Sequence, residues 1–464
     1  MPSLTLPPLP PRPSDALMRA LERELMRLAP TLKVLSTAGE LEKRSSDFHS
    51  FSPVLRQLLA GCRAQLAVCP RGVEEVTVVA GACARLGVPL TMRGAGTGNY
   101  GQCVPLAGGV VLEMGALAAL REVEAATGVV EAEAGCLLAD LDRRLLPHGR
   151  ALRLAPSTYR TATLGGFIAG GSGGVGSLRW GFLRDPGHLL GLEVVTVEPE
   201  PRLLRLEGAA CDPLNHAYGT NGILTALRLA TTEAVGWWQL VAGFRDGEQA
   251  LAVAREMPGT ALLLQELCLL EAPLAAAMPW PAGCPSPASG EARLLLLLSP
   301  DAVPLAAPWL ASRGGTVVWQ EPEAACRGLP LRELTWNHIT LHWRGKHPQW
   351  TYLQLLLPQP EGPFLARLRA RWGDSLHWHV EAVRQGGTSR LAGLPVLRDQ
   401  GIDSLQALMA ECQEGGAVLF DPHVITVEDG GLGRIDAEQV ACKRRLDPAG
   451  LLNPGKLRGW WQPA

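Results

Sequence analysis

Two glycine-rich segments of this 464-residue chain have the composition of anion-binding loops. The first, RGAGTGNYGQ at 93–102, follows the short apolar run VPLTM, and the second is TLGGFIAGGSGG at 163–174. Glycine allows positive φ and a close approach of the backbone to a ligand, so several N–H groups can converge on one anion. Because a diphosphate needs such donors without side-chain bulk, the two segments predict a ligand that contains a diphosphate.

Both segments contain the spacing of a dinucleotide-binding fingerprint, G-x-G-x-x-G, but not its setting. The matches are GTGNYG at 96–101 and GSGGVG at 171–176. The fingerprint requires a helix directly after the glycines, whereas the residues after both matches predict turn or strand, which disfavours a Rossmann nicotinamide site. The stretch at 170–174 also spells the nucleophile elbow G-x-S-x-G, and chance explains this spelling in so glycine-rich a sequence.

A polar cluster with catalytic potential lies in TWNHITLHWR at 335–344. Polar and apolar residues alternate there, which predicts a strand with His338, His342 and Arg344 on one face. A histidine base beside an arginine that binds a carboxylate would suit a 2-hydroxy acid. The alternative is a polar face directed to solvent, and the nearby tryptophans favour a partly enclosed site around His338.

A second polar cluster is formed by His377, His379 and Glu381 in LHWHVEA. The alternation again predicts one face of a strand. The three groups could bind a metal, could form a base with its orienting carboxylate, or could face solvent, and the residues alone do not distinguish these readings.

The elements that would position these residues alternate between helix and strand. VEEVTVVAGACARLG at 73–87 predicts an amphipathic helix, and Ser14 with Asp15 predicts the N-cap of an earlier one. VPLTM, GGVVLEM and VVEAEAG predict short strands, and LLGLEVVTVEPEPRLLRLE predicts a hairpin. The pattern indicates an α+β protein with short connections rather than a regular βαβ series.

Shifts in composition divide the chain into four predicted segments. Residues 1–64 form a lead-in with helices, and residues 65–234 contain both glycine segments. Residues 235–415, rich in Trp, Pro and Leu, form a second domain with a linker-like stretch at 279–292. Residues 416–464 are turn-rich and form a C-terminal segment.

The composition argues against several classes of protein. Hydrophobic residues make up 47% of the chain, enough for a large core, and 43 basic against 45 acidic residues leave a net charge of −2. That balance gives no electrostatic case for a nucleic-acid or anionic-membrane partner. No apolar run approaches the ~18–20 residues of a membrane span, and no secretory signal is apparent. The eleven scattered cysteines contain no C-x-x-C, which favours reduced thiols in a cytoplasmic protein.

Seven segments stand out in chain order: CPRGVEEV at 69–76, RGAGTGNYGQ at 93–102, VVEAEAGCLLADLDRRL at 129–145, ATLGGFIAGGSGG at 162–174, RWGFLRDPGHLLGLEVVT at 179–196, GTNGILTALRLA at 219–230 and LDPAGLLNPGK at 446–456. In this order they resemble motifs of the FAD-binding oxidoreductases of the vanillyl-alcohol oxidase type, the PCMH superfamily. The first glycine segment is most similar to the glycolate and D-lactate dehydrogenase branch. The resemblance covers about 69–234 and 440–464.

The resemblance implies a PCMH-type FAD-binding domain of two α+β subdomains, an α+β cap domain, and a C-terminal segment that returns to the FAD domain. His423 then lies where that segment approaches the flavin region, which makes it a third candidate base. The resemblance also implies a set of residues that bind FAD. These are Arg93, Gly94, Ala95, Gly96, Thr97, Gly98, Pro156, Ser157, Thr163, Gly165, Gly166, Gly173, Gly174, Ile223, Asn453 and Lys456.

The activity implied by the resemblance is oxidation of a small hydroxyl-bearing substrate, with hydride transfer to flavin N5. A 2-hydroxy acid such as glycolate or D-lactate is favoured. The alternatives are a sugar or polyol oxidase of the same fold and a non-catalytic FAD-binding subunit of a multi-chain oxidase. Thr97 stands where relatives with histidyl-bound flavin carry His, so FAD is expected to bind non-covalently. The metal-bearing G-H-x-G-D-G-N segment of the D-lactate branch is absent, and the electron acceptor (oxygen, a quinone or a redox protein) stays open, as do partner subunits.

Overall fold

The N-terminal part of the chain builds a four-stranded sheet with helices beside it. The computed structural model describes residues 5–171 and 173–462. The elements are α1 (Asp15–Leu28), β1 (Lys33–Leu35), α2 (Ala38–Arg44), α3 (Pro53–Leu58), β2 (Leu66–Cys69), α4 (Val73–Leu86), β3 (Leu90–Arg93) and β4 (Val110–Glu113). The predicted N-cap of α1 is confirmed, since the Ser14 hydroxyl accepts from the Leu17 N–H. The strand order is β1–β2–β4–β3, and the last three strands are parallel. The first glycine segment therefore begins at the carboxyl end of β3.

A five-stranded antiparallel sheet follows, with strand order β5–β6–β10–β8–β9. The elements are β5 (Leu120–Glu124), β6 (Val129–Glu133), α5 (Leu138–Leu145), β7 (Arg150–Ala151), α6 (Leu164–Gly170), α7 (Ser177–Trp180), β8 (Leu189–Val195), β9 (Leu203–Glu207), β10 (Ile223–Ala230) and β11 (Thr232–Glu233). Strands β8 and β9 form the predicted hairpin. The second glycine segment forms α6, and the stretch after it crosses to the next sheet, where Gly176 N–H donates to the Gln265 carbonyl.

The second domain is built on an eight-stranded antiparallel sheet, with strand order β15–β12–β14–β13–β19–β20–β17–β22, and a small three-stranded sheet, β16–β21–β18. The elements are β12 (Trp238–Phe244), α8 (Gly247–Glu256), β13 (Leu264–Leu270), α9 (Ala272–Ala277), β14 (Ala292–Leu298), α10 (Val303–Ala311), β15 (Thr316–Pro322), α11 (Asn337–Lys346), β16 (Trp350–Tyr352), β17 (Gln354–Leu356), α12 (Glu361–Trp372), β18 (Leu376–His377), β19 (His379–Gln385), β20 (Thr388–Gly393), β21 (Val396–Arg398), α13 (Ile402–Glu414) and β22 (Val418–Phe420).

The large sheet is buried on both faces, and β14 shows why. Its run of leucines alternates between two cores: Leu294 and Leu296 pack in the core shared with α8, α10 and α12, whereas Leu295 packs in the core shared with α9 and α11. A strand covered on both faces needs a continuous apolar run instead of alternation.

The C-terminal segment returns to the first sheet, as the resemblance implies. The segment contains α14 (Val427–Gly430) and α15 (Ala437–Leu446). The residues after α15 pair with the start of β3: the Leu90 N–H donates to the Leu451 carbonyl at 2.9 Å, and the Asn453 N–H donates to the Leu90 carbonyl at 2.7 Å. Strand β22 pairs with β17, so the large sheet extends beyond the predicted boundary at 415. None of the helices within the described residues is both long and apolar enough to cross a membrane.

The predicted strand at 335–344 is wrong, because this stretch forms helix α11. Its buried residues, Ile339, Thr340 and Trp343, follow the three-to-four-residue spacing of one helix face, which the short polar–apolar alternation also permits. Tertiary packing decides between the two, since Ile339 and Trp343 pack in the core with α9.

The single strand face predicted for His377, His379 and Glu381 is also wrong. The chain passes from the three-stranded sheet to the large sheet at Trp378, so His377 ends β18 whereas His379 begins β19. The His377 ring stacks on Trp350 with 5.0 Å between ring centroids.

Candidate functional site

A cavity of about 900 Å³ lies between the two glycine segments and the large sheet. We call its two sides the glycine wall, formed by cavity-lining residues within 93–103 and 156–171, and the cap wall, formed by those within 336–341, 354–356 and 392–394. The volume lies within the range of ~300–1,000 Å³ typical of small-molecule and cofactor sites. Ser172, the serine of the G-x-S-x-G match at 170–174, lies outside the described residues.

The first glycine segment presents unpaired donors to the cavity. Within the part of the chain that the structure describes, the backbone N–H groups of residues 94–98 donate no hydrogen bond. The segment turns at Gly96, whose φ of +70° is a conformation that side chains disfavour. The Arg93 guanidinium supports the segment by donating to the Ser46 carbonyl at 2.7 Å. Successive backbone N–H groups without an acceptor in the protein can converge on one anion, so this row of donors fits an anionic ligand.

The two glycine segments touch each other at Gly94 and Thr163. A Cβ atom at Gly94 would lie 2.2 Å from Thr163 Oγ1, so only glycine fits there. Thr163 is at the same time the N-cap of α6, because Oγ1 accepts from the Gly166 N–H at 3.2 Å. The contact joins both segments into one surface made largely of backbone, which fits the diphosphate of FAD.

Buried polar side chains of the C-terminal segment hold the far end of the first glycine segment. Lys456 Nζ donates to the Gly101 carbonyl at 2.6 Å, and Asn453 Nδ2 donates to the carbonyls of Gln102 and Tyr218. Burial, opposed by Asp47, lowers the pKa of Lys456 to about 8. These side chains position the loop and do not line the cavity.

The structure separates the residues predicted to bind FAD into two groups. Twelve line the cavity: Arg93, Gly94, Ala95, Gly96, Thr97, Gly98, Pro156, Ser157, Thr163, Gly165, Gly166 and Gly173. The others, Gly174, Ile223, Asn453 and Lys456, lie behind its surface. Ile223 is fully buried at the start of β10, between the cavity-lining residues Gly222 and Leu224.

Among the predicted catalytic residues, His338 alone lines the cavity. It lies in the first turn of α11, and its Nε2 atom is buried without a hydrogen-bond partner among the described residues. Burial and the neighbouring His342 lower the pKa of His338 to about 4, against the opposing effect of a hydrogen bond with the Ser157 backbone. The imidazole is therefore neutral near pH 7 and can accept a proton.

Two other candidates on α11 point elsewhere. His342 Nε2 lies 3.1 Å from the Glu333 carbonyl, and its ring stacks on His338 with 6.4 Å between centroids. Arg344 Nε donates to the Trp350 carbonyl at 2.7 Å, and its guanidinium lies over the Phe51 ring. The prediction that Arg344 shares a face with both histidines is wrong, because a helix turns it away from the cavity.

The structure also places His423 outside the cavity. Its Nδ1 atom lies 2.7 Å from Ser52 Oγ, and its Nε2 atom lies 3.0 Å from the Tyr352 carbonyl. Both ring nitrogens are therefore engaged, and burial lowers the pKa of His423 to about 4. The residue ties the C-terminal segment to α3 and β16 and has no free nitrogen to act as a base.

A chain of hydrogen bonds joins the two walls of the cavity. The Tyr100 hydroxyl donates to Gln354 Oε1 at 2.8 Å, and Gln354 Nε2 donates to Asn337 Oδ1 at 3.3 Å. Asn99 Nδ2 donates to the Tyr352 hydroxyl at 2.6 Å. The tip of the first glycine segment is thus connected to the first residue of α11, next to His338.

Sequence reasoning missed the charged residue that accompanies His338. Arg160 lines the cavity, forms an ion pair with Glu333, and is close enough to His338 to influence its pKa. Trp336, one of the tryptophans that predicted a partly enclosed site, lines the cavity directly before α11 and has a positive φ of 52°. No spacing signal marked Arg160, because Arg160 and His338 are far apart in the chain.

Comparisons with known proteins agree with this geometry. Residues 64–205 match the family model described as an FAD binding domain. The glycolate oxidase subunit GlcD of Escherichia coli (strain K12) is 31% identical over 165 residues, 35% of this chain and 33% of that protein. The D-lactate dehydrogenase of Archaeoglobus fulgidus is 33% identical over 172 residues, 36% of this chain and 38% of that protein. A solved structure of alkyldihydroxyacetonephosphate synthase superimposes with a TM-score of 0.70 at 14% identity, over 97% of this chain and 87% of that chain.

The sequence matches and the structural match differ in extent. The sequence matches span about a third of the length of these curated relatives, whereas the shared fold extends over nearly the whole chain. The predicted α+β fold class, with an FAD-binding domain, a cap domain and a returning C-terminal segment, is confirmed. The chain therefore has the PCMH-type fold, and within it residues 64–205 form an FAD-binding domain.

Proposed function

We propose that this protein is an FAD-dependent oxidoreductase that oxidises a small 2-hydroxy acid of the glycolate or D-lactate type. The observation that carries the proposal is that His338 of the cap wall and Arg160 of the glycine wall line the same cavity, close enough for Arg160 to lower the pKa of His338. A neutral imidazole with an unpaired Nε2 atom can take a hydroxyl proton, and a guanidinium can bind a carboxylate. The curated relatives described above carry the names of enzymes for glycolate and D-lactate, which are both 2-hydroxy acids.

Each residue has a distinct part in this proposal. Arg160 binds the substrate carboxylate and exchanges part of its contact with Glu333 for it. His338 Nε2 accepts the proton of the substrate hydroxyl, and the stacked His342 holds the His338 ring in place. Bound FAD supplies the hydride acceptor. The domain assigned to 235–415 covers the substrate, and the domain assigned to 65–234 holds the cofactor.

We further propose that FAD is bound without a covalent link. The residue at position 97 is Thr, and the Cys103 thiol at the cavity surface is a poor nucleophile because burial and Asp47 raise its pKa to about 12. Acid precipitation of the purified holoprotein is expected to leave the yellow colour in the supernatant. Colour that stays in the pellet would contradict this part of the proposal.

The activity is tested by anaerobic reduction of the bound flavin with glycolate and with D-lactate. His338→Gln is expected to slow reduction by about 10²–10⁴-fold without loss of bound FAD, and the exposed His148→Gln serves as the matched control. In the native protein the rate is expected to be constant from about pH 8 to about pH 6 and to fall as His338 protonates.

The other outcomes of this experiment are distinct. Reduction by sugars or polyols but not by hydroxy acids would indicate the sugar oxidase alternative. Bound FAD that no hydroxyl-bearing substrate reduces would indicate a non-catalytic subunit. Equal rates in the native protein and in His338→Gln would remove His338 from the mechanism.

A further inference from the structure

A cluster of buried ligand-type side chains lies in the large sheet, outside the cavity. Cys268 of β13 is directly opposite Glu381 of β19 in the antiparallel register, and His379 is two residues before Glu381 on the same strand. Side chains opposite each other, or two residues apart on a strand, share one face of a sheet. One nitrogen, sulfur or oxygen atom from each of the three residues lies within 4.8 Å of the others.

The cluster is fully buried and incompletely paired. Cys268, His379 and Glu381 are each 0% exposed. Glu381 Oε1 accepts from the Trp336 backbone N–H at 2.6 Å and lies 3.3 Å from His379 Nδ1. His379 Nε2 has no hydrogen-bond partner among the described residues, and Glu381 lies within hydrogen-bond reach of both Glu266 and Cys268. A buried polar atom without a partner costs about 1–3 kcal/mol, so the arrangement calls for a further group between these side chains.

We propose that Cys268, His379 and Glu381 bind a divalent metal ion of the zinc type. Thiolate, imidazole and carboxylate are the zinc ligands of proteins, and this mixed set suits zinc better than magnesium or calcium, which take oxygen ligands. The Cys268 thiolate and the Glu381 carboxylate would supply two negative charges to a divalent ion. The ligand atoms of a tetrahedral zinc ion lie roughly 3.5 Å from one another. Side-chain rotations that move the three ligand atoms by about an ångström would therefore bring them to that spacing.

The neighbouring Glu266 completes the surroundings of this site. It lies on β13 two residues before Cys268, its Oε1 accepts from the Leu267 N–H, and its Oε2 accepts from the Trp336 indole N–H at 3.0 Å. Trp336, directly before α11, is thus held by both carboxylates. None of the three proposed ligands lines the cavity, so the metal would be a structural ion that fixes the start of the helix that carries His338.

The proposed site differs from the one considered from the sequence. There His377 accompanied His379 and Glu381, but His377 stacks on Trp350 in the other sheet. Cys268 takes its place because β13 pairs with β19. These two strands are about a hundred residues apart in the chain, and no local sequence pattern indicates that they pair.

The test is the metal content of the full-length holoprotein, produced with added Zn²⁺ and passed over a chelating resin. Inductively coupled plasma mass spectrometry is expected to find one zinc ion per chain. Cys268→Ser and His379→Phe are expected to lose it while they keep FAD. Cys412→Ser, which changes an equally buried thiol outside the cluster, is expected to retain it.

Two results would overturn the proposal. One is a native protein that contains no metal and takes up neither Zn²⁺ nor Co²⁺ on dialysis; the other is zinc that stays in both variants, which would place it elsewhere. Should the variants not fold, X-ray absorption at the zinc edge of the native protein decides. One sulfur neighbour at about 2.3 Å supports the site, and only nitrogen and oxygen neighbours contradict it.

Discussion

The glycine wall and the cap wall of the cavity use different parts of the chain. The glycine wall presents backbone N–H groups from two short segments, held by the Gly94–Thr163 contact and by Lys456. The cap wall presents side chains, among them His338, Trp336 and Gln354, which come from a helix, the loop before it and a strand. A wall made of backbone tolerates little change in shape, whereas a wall of side chains can change its chemistry without change of the cofactor site.

The largest expected effect is on the glycine wall. Gly94→Val would bring a side chain against Thr163 Oγ1, which cannot move without losing the cap of α6. We expect FAD affinity to fall by more than about 100-fold, equivalent to about 2.7 kcal/mol. Isothermal titration of the apoprotein with FAD measures this, and Gly39→Val, in open space, is the control. Equal affinity in both variants would show that the two segments do not need their contact.

The next effect distinguishes Arg160 of the glycine wall from Arg344 of α11. Arg160→Met is expected to raise the KM of a hydroxy-acid substrate by about 10–100-fold, because a charge-assisted hydrogen bond contributes ~1.5–3 kcal/mol. Arg344→Met is expected to change KM less than about 2-fold, since that guanidinium lies outside the cavity. Steady-state kinetics with matched FAD content check both. A larger rise in KM for Arg344→Met than for Arg160→Met would support Arg344 as the residue that binds the substrate carboxylate.

A pH effect on stability is expected from buried histidines, including His423. Burial lowers the pKa of His423 and of His216 from 6.5 to about 4. The unfolded chain therefore binds more protons between these pH values, and the free energy of unfolding falls as the pH drops from about 6.5 to about 4, by up to about 3 kcal/mol per histidine. His423→Gln should flatten the dependence measured by urea unfolding, whereas His148→Gln should not. Parallel pH curves for all three proteins would argue against a buried neutral His423.

The smallest expected effect concerns the cap of α6. Thr163→Ala removes the acceptor for the Gly166 N–H and is expected to lower the free energy of unfolding by about 1 kcal/mol. Thr163→Ser keeps the hydroxyl and should retain most of the stability. Urea denaturation with and without FAD measures both variants, and a larger loss in the presence of FAD would show that the cap also supports the cofactor. A Thr163→Ala protein as stable as Thr163→Ser would mean that the cap contributes nothing.

The glycine wall could be predicted from the sequence, whereas the cap wall could not. Helices α1 and α4, the β8–β9 hairpin and both glycine segments were predictable, because their signals (caps, apolar periodicity and glycine spacing) lie within a few consecutive residues. The stretch at 335–344 was not, because a short polar–apolar alternation is compatible with both strand and helix until its packing partners are known.

The sequence by itself determined a backbone cradle for a diphosphate, since glycine is required wherever backbone must approach backbone or adopt positive φ, and the resemblance of its motifs implied FAD as the ligand. Only the tertiary structure decided which side chains face that cradle. It brought Arg160 to His338, removed Arg344 and His423 from the cavity, and placed Cys268 beside His379 and Glu381. The physical reason is that side-chain clusters depend on strand order and helix rotation, which are set by burial of the whole core and leave no local trace in the chain.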